Sequence, residues 1–206
     1  MPLDGGAARV GDLDVAKQTL KARRLLGYIP EQVNLYDNLT GRENLSYFSE
    51  LAGERHSPSQ LASLLQRAGL PPAAVDRRVG AYSKGMRQKV GVAIALAKRA
   101  RVLLLDEPTS GLDPKAAHEF SRTLVDLAGD GVAVLMATHD LFRAREVARR
   151  VGILREGRLV QELETSGVSH TDLERIYLEQ VDVAPLEVAP DVAVAVESRA
   201  LPGGVS

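Results

Sequence analysis

The chain has 206 residues, 45% of them hydrophobic and 26% charged, with a net charge of −1 and no cysteine. That length allows one domain with a sizeable core. The near-neutral charge offers no basic field for nucleic acid, and the lack of thiols excludes disulfides and thiolate metal sites. The N-terminus has no basic segment followed by an apolar run, so a signal peptide is not expected. The longest apolar run, Val90 to Ala97 between Lys89 and Lys98, is far short of the ~20 residues that span a bilayer. Any membrane role is expected to come through a partner.

Residues 1–24 are polar and glycine-bearing, as in the tail of a preceding segment. Leu25 to Ile29 is the first strand signal, stopped by Pro30. Thr40-Gly41-Arg42-Glu43 is a capping box, and Leu45, Phe48 and Leu51 follow at helical spacing. Ser57-Pro58-Ser59-Gln60 is a second, opening a helix with Leu61, Leu64, Leu65 and Ala68 that Gly69 and Pro71-Pro72 end. Ser83 is placed to cap a third helix, with Met86, Val90, Ile94 and Ala97 as its apolar face. Residues 40–98 therefore read as mostly helical.

The pattern then changes. Val102 to Leu105 is a continuous apolar run ending at Asp106, as in a strand buried on both faces of a parallel sheet. A helix is expected from about Pro114, with Ala117, Phe120, Leu124 and Leu127 inward. Val132 to Ala137 is a second buried strand, followed by Thr138-His139-Asp140 and a short helix, Leu141 to Arg150. Val151 to Leu154 and Arg158 to Leu163 read as a hairpin about Arg155-Glu156-Gly157. Leu173, Ile176 and Tyr177 mark a last helix. Residues 182–206, rich in Pro, Ala and Val, are expected to be a disordered tail. Strands alternating with helices predict an α/β fold.

Polar residues gather at the carboxyl ends of the two buried strands, the edge where open α/β sheets bind ligands. There Asp106 can hold a magnesium ion, directly or through water, and Glu107 can orient or deprotonate an attacking water; alternatively, the pair is an acidic loop after a strand. His139 follows the second strand. Pro108-Thr109-Ser110-Gly111-Leu112-Asp113 comes directly after the carboxylates, and Ser83-Lys84-Gly85-Met86 opens the helix before them.

In this order and spacing the residues resemble the ABC ATPase family. Leu104-Leu105-Asp106-Glu107-Pro108 is similar to its Walker B motif with the catalytic glutamate, Ser110-Gly111-Leu112-Asp113 to its D-loop, and Thr138-His139-Asp140 to its switch histidine. Tyr82 to Gln88 lies where the signature belongs, and Gly27 to Gln32 at the Q-loop. The resemblance implies a P-loop NTPase (RecA-like) core with an inserted helical subdomain over residues 1–181. It also implies ATP and Mg2+ as cofactors, hydrolysis to ADP and phosphate, a second ATPase subunit and an integral-membrane permease as partners, and a place on the cytoplasmic face of the membrane. Glu107 and His139 would be catalytic, and Asp106 and Glu31 magnesium ligands. Ser83, Gly85, Asp113, Glu31 and Gln32 would contact or respond to nucleotide, with Ser83 and Gly85 acting on the opposite subunit's γ-phosphate.

Three departures stand out. No Gly-x-x-x-x-Gly-Lys-Ser/Thr occurs, nor any Gly-Lys pair, so the phosphate loop (Walker A) and its preceding strands are expected upstream of this sequence. Glu31 stands at the Q-loop position with Gln32 beside it, and either can serve. Lys84 and Met86 replace the signature's first Gly and its Gln, a variant familiar in exporter ATPases with separately encoded permeases. An ATPase subunit of an exporter is the leading expectation. The others are a pseudo-ATPase that binds partners without turnover and a non-transport ABC ATPase, which the absence of a tandem domain or coiled-coil insertion disfavours.

Overall fold

The computed structural model describes residues 5–181 and 192–196. The chain forms two compact units, Met1–Leu104 and Leu105–Ser206.

The first unit opens on a hairpin of β1 (Arg9–Val10) and β2 (Leu13–Asp14), turned at Gly11 with φ of 57°. Then come α1 (Thr19–Leu25) and β3 (Leu26–Ile29). The hairpin and α1 lie in the stretch read as a polar tail. Two-residue strands are too short to alternate, and α1 buries only Ala22, so neither leaves a periodic signal. β3 begins at Leu26 because Leu25 closes α1.

Helices α2 (Gly41–Leu51) and α3 (Pro58–Arg67) start where the two capping boxes place them. Thr40 Oγ1 accepts from Glu43 N–H at 3.2 Å, and Glu43 returns the bond to Thr40 N–H at 2.8 Å. Ser57 and Gln60 do the same at 3.3 and 2.8 Å. The apolar face expected for α2 is only partly right. Leu45 is fully buried, Phe48 is half-buried, and Leu51 is 74% exposed. Polar Asn44 and Ser49 take inward positions instead: Asn44 accepts from Tyr36 N–H at 2.9 Å and donates to the carbonyls of Tyr36 and Thr40, both at 3.0 Å. Its amide replaces the backbone partners that the loop before α2 lacks.

Two 3₁₀ turns, Pro72–Ala74 and Val79–Ala81, lead to α4 (Lys84–Ala97). This helix does not have the single stripe expected. Met86 and Ile94 are half-buried, while Gln88, Lys89, Val90, Val92, Ala93 and Leu96 are buried, so nearly its whole circumference is covered. Gly27 of β3 makes that packing possible. A Cβ there would sit 2.4 Å from Ala95 Cβ and 2.9 Å from Leu103 Cδ2.

The chain enters the second unit within β4 (Val102–Asp106) and continues through α5 (Pro114–Gly129), β5 (Ala133–Ala137) and α6 (Leu141–Val147). β6 (Arg150–Arg155), β7 (Arg158–Glu164) and α7 (His170–Val181) follow, then β8 (Val192–Val196). α5 buries Ala117, Phe120, Leu124 and Leu127 as expected. α6 is shorter than expected: Ala148 is already extended, releasing Arg150 into β6. β6 and β7 form the hairpin, and its turn residues Glu156 and Gly157 have φ of 51° and 74°, the positive pair that two-residue hairpin loops favour. β5 is covered on one face only: Val134 and Met136 are buried, whereas Leu135 is 42% exposed.

The strand order in this unit is β5-β8-β6-β7, with every pair antiparallel. β8 lies within the stretch expected as a disordered tail, 182–206. Val192 to Val196 alternates β-branched Val with Ala and holds no Pro, Gly or charge, a composition suited to a strand. The tail expected at 182–191 and 197–206 lies outside the described residues.

Gly27→Ala is expected to destabilise the chain by about 1–3 kcal/mol, because the added methyl enters a filled space. Thr40→Ala removes half of the capping box and should lower stability by about 1 kcal/mol. Urea unfolding midpoints check both; an unchanged midpoint for Gly27→Ala would show that β3 and α4 can move apart freely.

Candidate functional site

The candidate residues fall into two groups, one in each unit. In the second unit, the chain leaves β4 at Asp106, which is exposed, and turns sharply at Glu107, whose φ of 43° is rare for a residue with a side chain. The turn is braced: Glu107 N–H donates to the Ala137 carbonyl at 2.9 Å, and Ser110 N–H donates to the Glu107 carbonyl at 3.1 Å. The Glu107 carboxylate thereby meets the end of β5. Oε1 accepts from His139 N–H at 2.9 Å and lies 2.8 Å from His139 Nδ1, while Oε2 accepts from Thr138 Oγ1 at 3.2 Å.

Glu107 is mostly covered and His139 mostly open, with side-chain exposures of 26% and 70%. A neutral His139 that donates through Nδ1 keeps Nε2 as an acceptor. To donate to an anion through Nε2 as well, the ring must carry both protons. The arrangement holds a carboxylate and sets an imidazole beside it, the parts needed to position a water beside a reacting group.

Asp113 takes another place. It is the N-cap of α5, and its Oδ1 accepts from Ala116 N–H at 2.9 Å, with Pro114 at the first helical position. Thr138, which the site expectations omit, is 1% exposed and both donates to Glu107 and accepts from Asp140 N–H at 3.1 Å. Its place beside His139 at a strand's carboxyl end was the available signal.

In the first unit, Ser83 caps α4, its Oγ accepting from Met86 N–H at 3.3 Å, and Gly85 is buried in the first turn. A helix of 14 residues begins there, with its positive dipole end at the Ser83 loop. Tyr82, just before it, is 7% exposed and donates to the Ala74 carbonyl at 2.5 Å. Burial raises the phenol's pKa above its ordinary value, so this residue is a packing element.

The two departures in this region meet each other. Lys84 Nζ lies 3.0 Å from Glu31 Oε1. Gln88, one turn on, donates to the carbonyls of Pro30 and Glu31 at 3.2 and 2.8 Å, and Arg87 pairs with Asp37 at 2.7 Å. The loop after β3 is therefore fastened to the first two turns of α4. Glu31 brings an extra charge, and Lys84 neutralises it. Gln32 is exposed. Lys84 and Gln88 are four residues apart, on one helical face, but their partners lie more than fifty residues upstream, beyond the reach of a local pattern.

Among the described residues no group of three His, Asp or Glu side chains is arranged to hold a metal, and no helix is long and apolar enough to cross a membrane. Magnesium with a nucleotide needs less. It is held by one or two carboxylates plus phosphate oxygens and water, and an exposed carboxylate at a strand's end, as at Asp106, fits that donor set.

Residues 2–110, through the Asp106-Glu107 pair, match the family model described as ABC transporter. The chain belongs to the ABC transporter family. It is 36% identical over 170 residues to the daunorubicin resistance ATP-binding protein DrrA2 of Streptomyces coeruleorubidus, covering 82% of this chain and 52% of that protein. Identity is also 36%, over 191 residues, with the phosphonates import ATP-binding protein PhnC 1 of Rhodopseudomonas palustris strain HaA2, covering 85% and 68%. Among solved structures it is similar to the dimeric post-hydrolysis state of the ATP-binding cassette MJ0796 bound to ADP and Pi. The TM-score is 0.67 and the identity 26%, over 80% of this chain and 75% of that one. The fold is that of an ABC ATPase cassette, an α/β P-loop NTPase fold, and the chain spans about half the length of several of its curated relatives.

For this ABC chain the Lys84–Glu31 pair yields a charge-reversal test. Lys84→Glu sets like charges face to face and should speed amide exchange of residues 31–37 by about twofold to fivefold, the range of a partly exposed ion pair. Adding Glu31→Lys should restore the wild-type rate. If the reversed pair exchanges as fast as the single variant, the two side chains do not hold the loop together.

Proposed function

We propose that this chain is the ATP-hydrolysing part of an ABC exporter subunit that works as a pair and docks on a separately encoded permease. The supporting observation is the Glu107 carboxylate, held at 2.8–2.9 Å by the ring and backbone N–H of His139 at the ends of β4 and β5. In this reading Glu107 positions or deprotonates the attacking water, and His139 would hydrogen-bond the γ-phosphate and help set that water. Asp106 would hold the magnesium that neutralises phosphate charge, with Glu31 or Gln32 as the loop residue responding to nucleotide. Ser83 and Gly85, at the positive end of α4, would receive the γ-phosphate of nucleotide bound by the second subunit. Asp113 would couple the two sites through α5, which it caps.

Export is favoured by the Tyr82-Ser83-Lys84-Gly85-Met86 form of the signature and by likeness to a daunorubicin resistance protein. The paired arrangement is supported by the dimeric state of the similar cassette. Helical residues 40–80 would be the subdomain that meets the permease, and residues 1–181 would make up the ATPase domain. The place of work would be the cytoplasmic face of the membrane.

A second reading, binding without turnover, is favoured by one observation: the 206 residues contain no Gly-Lys pair and so no phosphate loop. On that account the 206-residue chain by itself should bind ATP weakly, and calorimetric titration with ATP and magnesium checks this. Tight binding would show that other residues cradle the phosphates.

With an upstream segment supplying the loop, Glu107→Gln is expected to lower kcat by about 100-fold or more with little change in ATP affinity. A variant that keeps near-wild-type kcat would remove Glu107 from the mechanism. In the same extended chain, Ser83→Arg should leave nucleotide binding intact but abolish ATP-driven pairing in light scattering. Loss of binding by the monomer would instead place Ser83 on its own chain's nucleotide.

A further inference from the structure

Helix α6 directly follows the segment that grips Glu107, yet little of it is buried. It has seven residues, of which only Ala144 and Val147 are buried. A helix of that length is marginal by its own hydrogen bonds, so its position must come from its neighbours. The chain enters it from Thr138 and His139, with Asp140 as its N-cap. Asp140 Oδ1 accepts from Arg143 N–H at 3.0 Å, and Asp140 N–H donates to Thr138 Oγ1 at 3.1 Å. Where α6 sits therefore decides where His139 sits.

Arg143 supplies the tie. Its side chain is 12% exposed. Nη1 donates to Glu146 Oε2 at 2.6 Å, Nε lies 4.0 Å from Asp140 Oδ2, and Nη2 donates to the Pro114 carbonyl at 3.4 Å. The other Glu146 oxygen lies 2.6 Å from His118 Nδ1. Pro114 and His118 are one turn apart at the start of α5. That helix is anchored on its own account, with Phe120, Leu124 and Leu127 at most 1% exposed. The arginine–glutamate pair thus binds the start of α6 to the start of α5, the helix that Asp113 caps. A guanidinium suits the task, because its planar fork reaches a carboxylate and a carbonyl at once and stays charged.

We propose that Arg143 is a positioning residue: held by Glu146, it fixes α6 against α5 so that Thr138 and His139 meet the Glu107 carboxylate, and a displacement at Asp113 reaches His139 through it. The placement of His139 stands whether or not the chain hydrolyses ATP. That the Asp113 link serves two nucleotide sites rests on the ATPase reading.

The imidazole itself is the readout. With Nδ1 2.8 Å from a Glu107 oxygen, neutral His139 carries its proton on Nδ1. Nitrogen-15 NMR of the full chain reads that tautomer. Arg143→Met should replace it with a mixture of the two tautomers and raise amide exchange at 138–141 by about fivefold or more. Arg143→Lys, which keeps the charge but not the fork, should restore part of both signals. Val147→Ala removes packing from the same helix without touching the network, so it should lower the urea midpoint and keep the tautomer. A wild-type tautomer in Arg143→Met, or an equal loss in Val147→Ala, overturns the proposal. If Arg143→Met does not fold, Glu146→Gln, which keeps the shape but not the charge, is read in the same way. An unchanged tautomer there overturns the proposal equally.

A double-mutant cycle reads the Asp113 link. Asp113→Ala should raise exchange at 138–141 by about twofold to fivefold in the wild-type background and add nothing to Arg143→Met. Additive effects would show that Asp113 reaches His139 by another route and overturn that half of the proposal. None of these measurements needs ATP, so their failure is distinct from a failure of Glu107→Gln to lower kcat in the extended chain.

Discussion

The 2.9 Å bond from Glu107 N–H to the Ala137 carbonyl is the constraint on which the geometry of the second unit's candidate site depends. It joins the chain just beyond β4 to the last residue of β5. It also stabilises a φ of 43° that Glu107 would otherwise leave, since a non-glycine residue held there is strained by about 1–3 kcal/mol. With the backbone turned in that way, the carboxylate lies against Thr138 and His139 instead of pointing along the strand. A single backbone bond therefore sets the orientation of the acid, and three further bonds to its oxygens keep it there.

The same economy recurs at the helix starts. Thr40, Ser57, Ser83, Asp113 and Asp140 each accept a bond from a backbone N–H in the first turn of the helix that follows. At Ser83 and Asp113 the cap belongs to a motif with an expected nucleotide role. Capping and ligand binding use the same feature, the unsatisfied N–H groups at the start of a helix, so a serine or aspartate there orders the turn before any ligand arrives.

Electrostatics explains why two departures from the family pattern coexist. Glu31 alone would place an uncompensated carboxylate on the loop after β3, and Lys84 alone a cation at the positive end of a helix, where the dipole disfavours it. At 3.0 Å each neutralises the other. Gln88 adds two backbone contacts to the same loop, so the segment resembling a Q-loop and the signature helix are mechanically joined within the first unit.

How much of this was legible in the sequence depends on the range of the interaction. Both capping boxes, the Ser83 cap, the inward face of α5 and the Arg155–Arg158 hairpin follow from neighbours within a few residues, where side-chain chemistry and helical or strand periodicity act directly. The candidate residues Asp106, Glu107 and His139 were likewise picked out by residue type and order after two apolar runs. What the sequence could not settle involves partners far apart along the chain. The outward Leu51 and inward Asn44, the burial of α4 on nearly every side and the Lys84–Glu31 pair arise only when distant segments meet. Capping of Glu107 by Thr138 and His139 belongs with them, since thirty residues separate these partners. β8 is the clearest case: Val192 to Val196 reads as strand-forming at most, and only the sheet decides that it pairs, because a strand's backbone groups need partners from other parts of the chain.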